Sequence, residues 1–261
     1  MDKHLLEVKN IDICYDDTLA VQNVSFSMKE GEILGIVGES GSGKSTLIKA
    51  AMGLLGEEAQ ITQGEILYKG KNILEASARE LRRMHGPQMG MIFQNTGTSL
   101  CPIRTIEEQL YESVRQHEKI DKKEIRERAL DLFKKMRFQD GMRVLKSYPF
   151  ELSGGMNQRV GIMMAMILNP RLLFADEPTS ALDVTVQAQV VKEMMQMRET
   201  YGTGIAIVTH NIGVVERMAD FIAVMHKGRL VEYGRKEDVI YHPQEEYTQK
   251  LIRAVLRLDR G

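Results

Sequence analysis

The chain has 261 residues, long enough for one large or two modest domains, and its 43% hydrophobic and 27% charged content is ordinary for a globular protein. Lys and Arg total 35 against 36 Asp and Glu, and the resulting formal charge of -1 gives no electrostatic reason to expect nucleic acid or an anionic membrane as the main partner. The longest apolar run, VGIMMAMIL at 160 to 168, falls short of the roughly 18 residues that a spanning helix needs.

The N-terminal stretch MDKHLLEVKN is charged and has no apolar signal core, so a cytosolic chain is expected. Cys14 and Cys101 stand outside any Cys-x-x-Cys spacing, which fits a reducing compartment and no structural metal. The first third then alternates as antiparallel sheet does, in LLEVKNIDICYD, VQNVSFSMKEGEI and GEILYKGKNI. Within it, ILGIVG at 33 to 38 is a continuous apolar run ending in glycine, the pattern of a strand buried on both faces. GMIF ending at Phe93, LLFAD ending at Asp176 and IAIVTH ending at His210 share that character. Ligands of open α/β sheets bind beyond the carboxyl ends of the strands, so these polar endings are expected on one rim.

Between the second and third runs, TIEEQLYESVRQHEKIDKKEIRERALDLFKKM is dense in alternating charge around Leu110, Val114, Leu130 and Phe133 and predicts solvated helices. Later, DVTVQAQVVKEMMQMRETYG predicts a helix capped by Asp183 and ended by Gly202. Methionines 163, 164, 166, 194, 195 and 197 sit at helical spacings and are expected in packing faces.

GESGSGKST, residues 38 to 46, fits a phosphate loop between a buried strand and the helix expected through LIKAAMGLL. Gly38, Gly41 and Gly43 let backbone amides curl round phosphates, with Ser40 and Thr46 in the same turn. Lys44 reaches the outer phosphates, and the Ser45 hydroxyl is placed to ligate magnesium. LLFADEP brings Asp176 for the metal and Glu177 to orient and deprotonate an attacking water. Gln94 is placed to contact magnesium or that water, and His210 to hydrogen-bond a terminal phosphate. Tyr15 has two readings, a ring stacked on adenine or a half-buried strand residue. Ser153, Gly154 and Gly155 open the helix MNQRVGIMMAMIL, either as a plain Ser cap or as a second anion-binding turn.

In order and spacing, GESGSGKST, Gln94, LSGGM, LLFADE, SALD and His210 resemble the nucleotide-binding subunit of an ATP-binding cassette (ABC) transporter over nearly the whole chain. The resemblance implies an α/β fold with a RecA-like P-loop NTPase core, an antiparallel β subdomain and an inserted helical subdomain. Residues 1-95 and 166-235 are expected to form the core with its β subdomain, residues 96-165 the helical subdomain, and residues 236-261 a short helical tail, all within one ATPase domain. It implies ATP and Mg2+ as cofactors and head-to-tail dimers in which Ser153 and Gly155 contact ATP held by the other subunit. It also implies that Asp183 communicates between sites and that Gln94 lies where a membrane subunit docks. The implied partners are a second ATPase, paralogous or identical, two transmembrane permeases and, indirectly, an extracytoplasmic solute-binding protein, at the cytoplasmic face of the membrane and without nucleic acid.

FQNTGTSLCPIRTIEEQ, YPFELSGGMNQRV, DEPTSALDVTVQAQV and HPQEEYTQKLIRAVLRLD are similar to the peptide and nickel importer group. The sequence departs from that group's usual spelling at Asn95, Cys101, Asn157 and Leu256. A short tail without a cysteine cluster favours the nickel or metal-chelate branch. The alternatives are an oligopeptide or dipeptide importer, a soluble ABC ATPase without a permease, and an exporter cassette.

Overall fold

The computed structural model describes residues 4–16, 18–94, 96–180 and 182–258, with side chains through residue 254. It begins with β1 (His4–Tyr15), β2 (Thr18–Lys29), β3 (Ile33–Val37), α1 (Lys44–Ala51), β4 (Ala59–Tyr68), β5 (Lys71–Asn72), α2 (Ala78–Met84) and β6 (Met89–Ile92). Helices follow: α3 (Thr96–Ser99), α4 (Ile106–Arg115), α5 (Lys122–Lys135), α6 (Gly141–Lys146) and α7 (Gly154–Met166). The last part is β7 (Leu172–Asp176), α8 (Val184–Tyr201), β8 (Gly204–Thr209), α9 (Ile212–Met218), β9 (Phe221–His226), β10 (Arg229–Arg235), α10 (Lys236–Tyr241) and α11 (Glu246–Leu258).

Two sheets organise these elements. One is antiparallel in the order β2-β1-β4-β5; the other runs β10-β9-β3-β8-β7-β6, parallel except for β10. Successive side chains on a strand point to opposite faces, and β3 uses both. Ile33 and Val37 join the apolar cluster beneath the helices, while Leu34 and Ile36 join the cluster shared with α1 and the antiparallel sheet. With every residue of β3, β7 and β8 buried, these strands read as uninterrupted apolar runs.

Helix α4 starts from a capping box, Thr105 with Glu108, and Asp121 caps α5. Leu110, Val114 and Phe133 are fully buried, and Leu130 packs beside them. Met163, Met166, Met194 and Met197 are buried, with Met164 and Met195 packed against the same cluster. Helix α7 is fastened to α8 by Arg159, whose Nη2 lies 2.6 Å from Glu193 Oε1 and whose guanidinium covers the Phe138 ring. Glu193 is only 1% exposed, so this pair is shielded from water.

The helix expected through LIKAAMGLL is shorter than the pattern suggested. It ends at Ala51, because Gly53 turns into the left-handed region (φ 64) and leaves Leu54 and Leu55 outside. Asn157, one of the unusual spellings, is buried and donates from Nδ2 to the Pro149 carbonyl, tying α7 to the turn before it. Cys101 is bracketed by Gln109, which accepts from its amide and donates to its carbonyl. Asn95 and the side chain of Leu256 lie outside the described residues.

Candidate active site

The parallel strands β3, β6, β7 and β8 end along one edge, and residues that follow them line a cleft of about 590 Å³: Ser40, Gly41, Gly43 to Thr46, Gln94, Glu177 and His210. The rim expected from the polar strand endings is therefore a real surface. Its centre is the turn between β3 and α1, where Gly38, Gly41 and Gly43 all take positive φ. A Cβ at Gly38 would lie 2.1 Å from the Met225 carbonyl oxygen, and one at Gly43 would lie 2.7 Å from that of Ala20. Backbone walls leave no room for a side chain at either position.

Helix α1 begins at Lys44, so its first-turn amides are without intrahelical acceptors and its positive dipole end opens on the cleft. The Lys44 side chain folds back over the loop. Its Nζ donates to the carbonyls of Gly38 (2.8 Å) and Glu39 (2.7 Å). Burial pushes its ammonium below the usual lysine range, while Glu177, Asp176 and Glu39 pull it back up. Ser45 donates from Oγ to Asp176 Oδ1 at 2.8 Å, joining the loop to the end of β7. Burial raises Asp176 above the usual aspartate range, opposed by this hydrogen bond and by Lys49.

Glu177 is 8% exposed and has a left-handed backbone (φ 49), an unusual conformation for a residue with a Cβ. That turn directs its carboxylate back toward the end of β8. Oε1 accepts from the His210 amide (3.0 Å) and faces His210 Nδ1 at 2.8 Å, and Oε2 accepts from Thr209 Oγ1 at 3.3 Å. Thr209 is fully buried, and in the sequence it reads as one more β-branched strand residue.

The other expected residues lie outside this cleft. Tyr15 is half-buried at the end of β1, with its hydroxyl 3.4 Å from Thr46 Oγ1, beside the loop. Ser153 caps α7, accepting from the Met156 amide at 3.3 Å, and Asp183 caps α8, accepting from the Val186 amide at 3.0 Å. A Cβ at Gly155 would meet Val186 Cγ1 at 2.7 Å, whereas one at Gly154 would meet nothing within 4 Å. None of Ser153, Gly154, Gly155 and Asp183 lines the cleft.

Residues 21–180 match the family model described as ABC transporter. The chain belongs to the ABC transporter family. Over 99% of its length it is 41% identical to a dipeptide transport ATP-binding protein of Lactococcus lactis, covering 75% of that protein. It is 42% identical over 98% of its length to an oligopeptide transport ATP-binding protein of Salmonella typhimurium, covering 77% of it. Among solved structures, an ATP-binding cassette dimer in a post-hydrolysis state with ADP and Pi superposes with a TM-score of 0.78 at 28% identity, covering 88% of this chain and 98% of that one. This ABC protein is an ATPase that energises solute transport, and its α/β architecture is that of the cassette fold. No helix among the described residues is long and apolar enough to cross a membrane.

Proposed function

We propose that this ABC ATPase powers peptide import, working from the cytoplasmic face of the membrane on two permease subunits that receive solute from an extracytoplasmic binding protein. The names of its relatives favour peptides over the nickel or metal-chelate branch that the short tail suggested. The observation that carries the catalytic part is the convergence of Lys44, Ser45, Glu177 and His210 on one cleft, with Asp176 bonded to Ser45.

In this reading the amides of residues 38 to 46 and Lys44 hold the ATP phosphates, and the Tyr15 ring stacks on adenine. Ser45, Asp176 and Gln94 offer oxygen donors of the kind a hard divalent cation prefers, and no cluster of three or more His, Cys, Asp or Glu among the described residues offers a cage of its own. These three would hold Mg2+ together with the nucleotide, where it supplies charge neutralisation at the phosphates. Glu177 takes a proton from the attacking water. His210 Nδ1 lies 2.8 Å from Glu177 Oε1, so the imidazole steadies the base while its other nitrogen is left to face a terminal phosphate.

Ser153, Gly154 and Gly155 complete the site of a second ATPase subunit, most simply a paralogous chain, with Asp183 relaying between the two sites. Two facts support this: the turn lies outside its own cleft, and among the described residues Gly154 has no neighbour that forbids a side chain. The test is reconstitution in vesicles with the two permeases, where ATP-dependent uptake of labelled di- and oligopeptides is expected. Uptake of a nickel chelate and of no peptide would overturn the peptide reading.

A further inference from the structure

Helix α11 reaches the phosphate loop from 208 residues away in sequence, through the Tyr247 hydroxyl, which accepts a hydrogen bond from the Glu39 amide at 3.1 Å. The Tyr247 ring is stacked on the His226 imidazole, centroids 3.8 Å apart and planes 12° from parallel. His226 ends β9, the strand paired with β3, and the Met225 carbonyl just before it walls in Gly38. The hydroxyl is thus aimed by a ring seated on the same strand end that confines the loop. Behind it, Thr248 and Ile252 are buried, Leu251 packs on the main apolar cluster, and α11 lies against α9. Burial holds the phenol above its usual range, so it remains a neutral hydroxyl.

We propose that Tyr247 is a positioning residue for the nucleotide cradle. The Glu39 backbone is held on both sides: its amide donates to Tyr247, and its carbonyl receives Lys44 Nζ and the Ser42 amide. Fixing residue 39 holds the first turn of the loop in place before any phosphate arrives and lowers the ordering cost of binding. The inference rests on the reading of residues 38 to 46 as the ATP cradle. The tail helix, expected only as a short helical tail, thereby becomes part of the apparatus that sets nucleotide affinity.

The test is Tyr247→Phe, which keeps the ring on His226 and removes only the hydroxyl. In the assembled transporter, ATP affinity and KM are expected to weaken about two- to fivefold, as for a solvent-accessible hydrogen bond, with kcat and Tm unchanged. Leu130→Ala, which loosens the packing of α5 and leaves α11 and the loop unaltered, is expected to lower Tm and leave ATP affinity in place. Unchanged ATP affinity in Tyr247→Phe overturns the proposal, as does an affinity loss that follows Tm equally in both variants. Lys44→Ala measured alongside separates the two levels: if it binds ATP as the unaltered protein does, the cradle reading falls and takes this proposal with it. If Lys44→Ala loses ATP while Tyr247→Phe keeps it, only the role of the tyrosine falls.

Discussion

Replacing Glu177 with Gln separates the geometry of the site from its chemistry. The carboxylate receives the His210 amide and faces Nδ1 on one oxygen, and receives Thr209 Oγ1 on the other. A glutamine with its carbonyl oxygen in place of Oε1 keeps the His210 contacts. Its new NH2 then faces Thr209 Oγ1, which already accepts from the Asn211 amide and has a further lone pair to offer. At most one hydrogen bond is weakened, costing about 1 kcal/mol or less, so Tm should fall by no more than about 4 °C for a chain of this size. Basicity, in contrast, is abolished. Phosphate release should drop roughly 10²- to 10⁴-fold while ATP still binds. The measurements are phosphate release by the purified transporter, nucleotide affinity by fluorescence, and a melting scan. Turnover within a few-fold of the unaltered protein would remove Glu177 from the role of base, and a large fall in Tm would show that the hydrogen-bond accounting above is wrong.

Gly154→Ala should leave Tm untouched, because its Cβ meets nothing within 4 Å among the described residues, yet impair ATP hydrolysis in the assembled dimer; normal activity would contradict a turn that faces a partner subunit. Arg159→Leu should destabilise the chain by about 3 to 5 kcal/mol, since it leaves a carboxylate that is 1% exposed without a counter-charge and with the neutral Gln189 Nε2 as its donor, and removing both charges with apolar replacements should recover much of the loss in a denaturant titration. Asp176 holds its proton more tightly folded than unfolded, so its contribution favours folding at low pH and is lost as pH rises through the raised folded value. Asp176→Asn should therefore raise Tm at neutral pH in nucleotide-free protein and flatten the pH dependence just above the ordinary aspartate range, while hydrolysis is lost. A Tm that fell at neutral pH would reverse the assigned sign.

The parts of the site legible in the sequence were those whose physics is local. A strand buried on both faces must be apolar throughout, which marked β3, β7 and β8, and the residue after such a strand must lie at the sheet edge, which marked Glu177 and His210. Asp183 and Gly202 were legible as helix ends because capping involves neighbours a few residues away. What pairs over distance was hidden. The order β9-β3-β8 cannot be read from succession along the chain, and β9 and β10 were not singled out. Thr209 carries no mark that separates a site hydroxyl from a strand filler, and Tyr247 acquires meaning only when β9 brings His226 beneath it. The apolar pattern overstates the extent of α1 because Gly53 is tolerated in a helical pattern until its backbone turns left-handed.

The position of Lys44 has a consequence for selectivity. Its ammonium is already solvated by two loop carbonyls, so an arriving ligand does not fill a vacancy but trades places with neutral acceptors already in contact. A lone weak anion gains little from such a barter, whereas a chain of phosphates that also engages the α1 amides gains at several points together. If the loop holds ATP as proposed, the same carbonyls that quiet the lysine at rest would act as a threshold, one that rewards polyanions and makes inorganic phosphate a poor competitor for the cradle.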